Sequence, residues 1–162
     1  MNLSQKFPIA LIGAVATMAI AQPTAVFAIS AKVPSITVAA EPKAEDFFIQ
    51  GLEKYEKGDY QGAVAAFTQA IMLNPNDAQA YYNRGVARSS LGDKQGEIAD
   101  YNQALRINPN YAKAYNVRGY ARAELGDKQG AIQDFQKAAD LFQKQGDIDN
   151  YNRAINNLNK LQ

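Results

Sequence analysis

The hexapeptide LGDKQG stands at 91–96 and again, letter for letter, at 125–130, and a looser copy, KGDYQG, stands at 57–62. The spacing is 34 residues both times. A fixed period of this length means that one supersecondary unit is repeated, and it restricts the fold more than anything else in the chain. Three copies follow in register: 44–77, 78–111 and 112–145.

Each copy reads as two helices. The first starts at Ala44, Ala78 or Ala112 and reaches toward the glycine of a Gly-Asp pair. That glycine can take the left-handed conformation that stops a helix, and the aspartate can cap the next one. The second helix runs to Asn-Pro at 74–75 and 108–109, where proline forbids continuation. Apolar residues fall at helical spacing, Val64, Phe67, Ala70 and Ile71 in the first unit and Ile98, Tyr101, Ala104 and Leu105 in the second. Small residues recur at the eighth place (Gly51, Gly85, Gly119) and the twenty-seventh (Ala70, Ala104, Ala138), where paired helices must approach closely. One hairpin cannot bury its apolar face alone, so the copies are expected to stack.

Three details depart from strict repetition. Gln143 replaces the closing proline in the third unit, so the sixth helix is expected to run on to Gln145. After Gly146-Asp147, the residues Ile148, Tyr151, Ile155 and Leu158 form one apolar stripe, read as a seventh helix over 146–162 that covers the open end of the stack. The twentieth place is Ala63 and Ala131 in two units but Glu97 in the other, where a carboxylate is expected to be crowded or to turn sideways into solvent. A covariation also stands out. Arg84 and Arg118 occupy the seventh place, and Asp100 and Asp134 follow each by 16 residues. The first unit lacks both members, having Gln50 and Ala66, which points to an ion pair inside each later hairpin.

Chemistry is constrained by what is missing. There is no Cys and no His among 162 residues, so thiol nucleophiles, imidazole bases, disulfides and the usual zinc ligands are excluded. Ser89 and Ser90 lack a nucleophile-elbow context. Asp147, Asp149 and Asn150 lack the glycine and closing glutamate of a calcium loop, and helix capping explains Asp147 better. LGDKQG itself has neither the preceding strand nor the Lys-Ser or Lys-Thr of a phosphate loop. No enzyme activity, cofactor or metal is therefore expected.

The N-terminus follows a different plan. Lys6 precedes the apolar run IALIGAVATMAIA, and QPTAVFA follows with small residues at intervals. This is the order of a secretory signal peptide over 1–28, with cuts after Ala21, Ala28 or Ala31 all allowed. The alternative is an uncleaved anchor over 9–31. Residues 29–43, with two prolines in KVPSITVAAEPK, read as a flexible linker. The expected location is outside the cytoplasm, in a periplasm or thylakoid lumen. Removal of 1–28 takes away only Lys6 and leaves equal numbers of acidic and basic side chains. Nucleic acid is thus an unsuitable partner, because phosphate binding needs uncompensated basic surface.

The period, the eighth-place glycines, the Ala-x-x-x-Phe of 63–67 and 131–135, and Pro75 and Pro109 together resemble the tetratricopeptide repeat family over 44–145. The wording of 83–115 is similar to repeats of cyanobacterial proteins. The resemblance implies an all-α, right-handed superhelical solenoid of three helix-turn-helix units plus the C-terminal capping helix. It implies a protein–protein interaction module that holds a protein or peptide segment in a concave groove, with no small-molecule substrate. The groove places here are occupied by Phe48, Leu52, Tyr82, Asn83, Val86, Lys113, Asn116 and Tyr120, among others. The aromatic and aliphatic members offer anchoring surface, Asn83 and Asn116 can both donate and accept along a peptide backbone, and Lys113 can take a carboxylate. An aromatic stripe at helical spacing also serves to pack successive helices, and both uses stay open. The family's clamp for chaperone C-terminal tails is matched at Asn83 and Lys113 only. Phe48, Leu52 and Val117 stand at its other three places, so such tails are not the expected ligand. The alternative to a binding module is a structural unit that stacks with itself through an exposed repeat end.

Overall fold

A computed structural model describes residues 41–161. The signal peptide or anchor, and all but the end of the linker, lie outside the described residues.

Among the described residues seven helices follow one another: α1 (Ala44–Glu56), α2 (Tyr60–Leu73), α3 (Ala78–Ser90), α4 (Lys94–Ile107), α5 (Ala112–Glu124), α6 (Lys128–Gln145) and α7 (Ile148–Leu161). Each packs on its sequence neighbours, and α1 also touches α3. The result is the all-α right-handed solenoid, and α6 runs on past the position of the missing proline to Gln145. Among the described residues no helix is long and apolar enough to cross a membrane.

The repeated hexapeptide is the turn between the two helices of a hairpin. Gly58, Gly92 and Gly126 have φ of 78°, 77° and 83°, a conformation that side-chain-bearing residues rarely adopt. The next residue then caps the second helix: Asp59, Asp93 and Asp127 accept hydrogen bonds from the backbone N–H of Gly62, Gly96 and Gly130 at 2.8, 2.9 and 2.9 Å. The Gly62 backbone bond, with a further hydrogen bond from the Lys54 ammonium, holds the Asp59 carboxyl below its ordinary value. Asp147 repeats the device at α7, accepting from both the side-chain and backbone N–H groups of Asn150.

Inside each hairpin an aromatic ring meets a glycine. A Cβ at Gly51, Gly85 or Gly119 would lie 2.6, 2.6 or 2.9 Å from the ring of Phe67, Tyr101 or Phe135. This contact brings α1, α3 and α5 against their partners, while Ala63, Ala104, Ala131 and Ala138 are fully buried between them. The end of the stack is closed by Leu141 and Phe142 of α6 with Ala154 of α7, flanked by Tyr115, Tyr151 and Ile155. One member of the expected stripe departs from this. Ile148 is 58% exposed, because it is the first residue of α7 and lies beyond the contact. The buried places in that helix belong instead to Ala154 and Asn157, and the small side chain of Ala154 lets α7 sit close.

The Arg–Asp pairs form in both later units, and each is part of a larger network. Arg84 spans Asp100 on α4 and the Thr68 hydroxyl on α2, and its guanidinium lies 5.5 Å from the Tyr81 ring centre. Arg118 spans Asp134 and Asn102 in the same way and lies 5.4 Å from the Tyr115 ring. A third member is added by Arg88 and Arg122, which donate to the same carboxylates at 2.9 and 2.8 Å. Arginine thus ties three successive helices, the second helix of one unit and both helices of the next.

Candidate functional site

The groove places expected on the first helices α1, α3 and α5 are the second, fifth, sixth, ninth, twelfth and thirteenth of each unit. Of the residues expected there, Leu52, Lys113 and Tyr120 are exposed, and Phe48, Tyr82, Asn83, Val86 and Asn116 are half-buried. The difference has a packing cause. Phe48 stands edge-on to Phe67 at 5.7 Å and packs against two buried clusters. Tyr82 is sandwiched between Tyr101 at 6.0 Å and Tyr111 at 5.0 Å, and its burial pushes the phenol pKa up. Burial likewise pushes Tyr111 up to about 12, so neither phenol ionises at neutral pH. Both Phe48 and Tyr82 are therefore partly taken up by ring packing, and only the half that stays accessible is available to a partner. Tyr120 also stands edge-on to a core ring, Phe135, at 5.2 Å, yet stays 48% exposed.

Val86 and Tyr120 come together in a cavity of about 260 Å³ between α3 and α5, also lined by Tyr55, Val117 and Glu124. Its floor is α4, which contributes Lys94, Glu97 and Tyr101. The Tyr55 hydroxyl and the Ser90 hydroxyl meet at 3.3 Å on its rim, linking α1 to α3. Lys113 is not part of this cavity. It lies in a separate hollow with Tyr111, Gln145 and Asp147, near the turn that precedes α7. Asn116 carries a buried Oδ1 without a hydrogen-bond partner.

Glu97 overturns the expectation of escape into solvent. Its side chain is turned inward and the residue is 1% exposed. Lys94 Nζ lies 3.3 Å from Glu97 Oε1 and makes a closer ion pair with Glu124 across the cavity. The contact to Glu97 is electrostatic: Oε1 has no aligned hydrogen-bond donor. The Glu124 carboxylate, with Glu97 behind it, holds the Lys94 ammonium above its ordinary pKa, so it stays charged. The pattern of small residues marked Glu97 as anomalous. Its contact with Lys94 is an i,i+3 pair within α4 that the spacing allows, whereas the link from Lys94 to Glu124 arises between repeats, where spacing within one unit carries no signal.

The geometry is that of a helical-repeat scaffold with a recognition face. The match to known proteins names it. The TPR repeat model matches residues 51–92, and two tetratricopeptide repeat models match 78–111 and 100–133. The Arabidopsis OM64 TPR domain is 30% identical with a TM-score of 0.67, covering 74% of this chain and 93% of that one. The chain belongs to the tetratricopeptide repeat family. The first TPR of Spaghetti (RPAP3), bound to the HSP90 peptide SRMEEVD, is 28% identical with a TM-score of 0.67 and covers 74% of this chain and 90% of that one. The TPR2B domain of yeast Sti1 in its pHsp70 complex is 27% identical with a TM-score of 0.69, covering 73% and 94%. No curated protein matches the sequence.

Proposed function

We propose that the protein is an exported, non-enzymatic interaction module that holds an extended segment or helix of a partner protein along the face formed by α1, α3 and α5. The observation that carries this reading is the exposed apolar surface of that face. Leu52 is 38% exposed and Tyr120 48%, with the Val86 cavity set between the helices that bear them. Apolar anchors beside pockets are how such grooves take up peptides. The similar solved structures, one bound to an HSP90 peptide and one a pHsp70 complex, support the same use of the fold. Export rests on the charged, apolar, small-residue order of 1–28. N-terminal sequencing of the mature protein tests it, with a start between Gln22 and Lys32 expected and Met1 in a membrane fraction against it.

Partner binding is tested by capture from the native compartment with the wild-type chain, Leu52→Ser and Tyr120→Ser. Both side chains are largely exposed, so the helices should survive while the captured partner is lost. Equal capture by all three would move the site elsewhere. Self-stacking is the less favoured reading, because α7 already occupies the last repeat through Ala154, Tyr151 and Ile155. A monomer mass by light scattering is expected.

A further inference from the structure

We propose that the cavity between α3 and α5 is a specificity pocket for one basic side chain, a lysine or arginine of the bound segment; this rests on the groove reading above and adds the chemistry it selects. The argument begins with Glu97. Burying a carboxylate is costly unless it is well paired. Alanine serves the same place in the other two units, where Ala63 and Ala131 are fully buried. Packing therefore gives no reason for the glutamate. Glu97 lines the cavity; its Oε1, occluded from solvent, has no aligned hydrogen-bond donor, and the ammonium in contact with it at 3.3 Å, that of Lys94, is shared with Glu124. Two carboxylates and one ammonium leave one net negative charge at the cavity, with Glu97 buried at its base and Glu124 exposed at its rim.

Other cations close by are already engaged. Arg84 and Arg88 are both held by Asp100. The remaining walls favour a cation as well, since the rings of Tyr55, Tyr101 and Tyr120 line the site and aromatic faces attract positive charge. At about 260 Å³ the cavity is smaller than common small-molecule sites, which run to roughly 300–1,000 Å³. It opens onto the groove, so it suits one side chain projecting from a segment laid across α3 and α5. An acidic residue at the same point would add to that excess of negative charge.

The test is NMR titration of the isotope-labelled full chain with capped alanine-based peptides carrying one central lysine, arginine, norleucine or glutamate. The lysine and arginine peptides should shift the amides of Val86, Ser90, Tyr120 and Ala121 and bind at least about tenfold more tightly than the norleucine peptide. Glu97→Gln should erase that preference. Lys94→Gln, which removes the internal cation, should strengthen it. Equal binding of norleucine and lysine peptides, or a preference unchanged in Glu97→Gln, would overturn the pocket while the groove reading stands. Binding of n-butylammonium as tight as that of the lysine peptide would overturn it in favour of a free amine. Failure of every peptide to shift any residue of α1, α3 or α5 would take the groove reading down as well.

Discussion

The guanidinium of Arg84 meets the carboxylate of Asp100 fork to fork, Nε at 3.0 Å from Oδ2 and Nη2 at 2.7 Å from Oδ1. Arg118 and Asp134 repeat it at 2.9 and 2.6 Å. Asp100 is 2% exposed, so the pair is shielded from solvent. Removing one partner of such a pair leaves a buried charge uncompensated. Asp100→Ala is therefore expected to destabilise by about 3 kcal/mol in urea unfolding, well above an exposed pair. The double variant with Arg84→Ala should lose less than the sum of the two single changes, which measures the coupling directly.

That pair was legible in the sequence because its members appear and vanish together across units. The same logic could not reach Arg88 and Arg122. Their counterpart Lys54 is present in the first unit, where Ala66 offers no carboxylate, and Lys54 pairs with the capping Asp59 at 3.1 Å instead. The helices and turns were legible for a local reason: Gly92, Asp93 and Asn108-Pro109 act on their own stretch of backbone. Lys94 against Glu124, and Arg84 against Thr68, depend on how one unit is rotated onto the next. Spacing within a unit does not encode that rotation.

Gly85→Ala weighs two opposite effects. Replacing glycine inside a helix gains about 1 kcal/mol of propensity. The new Cβ would stand 2.6 Å from the Tyr101 ring, between two helices that cannot separate without disturbing the arginine network. Overpacking of this kind costs about 1–3 kcal/mol, so a net loss of about 1 kcal/mol is expected, read as a lower melting temperature.

The capping aspartates predict how the fold responds to acid. Asp59 and Asp147 have carboxyl pKa values below the ordinary 3.8 in the folded chain, Asp59 through the Gly62 backbone bond and Asp147 through the bonds from Asn150. A group with a lowered folded-state pKa contributes stability that is complete above its unfolded value and is lost as pH falls through the folded one. Their contribution should be intact at neutral pH and disappear below 3.8. Asp59→Asn should show a smaller acid loss than wild type in denaturant titrations across that window.

Glu97→Ala separates stability from recognition. The residue is buried with only an unaligned contact to Lys94, and alanine already fits this place in the neighbouring units. Thermal unfolding is expected to be unchanged or improved by up to ~1 kcal/mol. The preference for basic peptides should be lost in the same variant. A clear fall in melting temperature would mean that the Lys94–Glu97–Glu124 cluster holds the second and third units together.

The recognition face itself is tested most directly by site-specific photocrosslinking in the native compartment. A photoreactive side chain is placed singly at Leu52 or Tyr120 on the common face of the first helices, or at the exposed positions Gln69 and Gln136 on α2 and α6. The account predicts one partner adduct from Leu52 and Tyr120 and none from Gln69 or Gln136. Adducts from Gln69 and Gln136, with none from Leu52 or Tyr120, would contradict it.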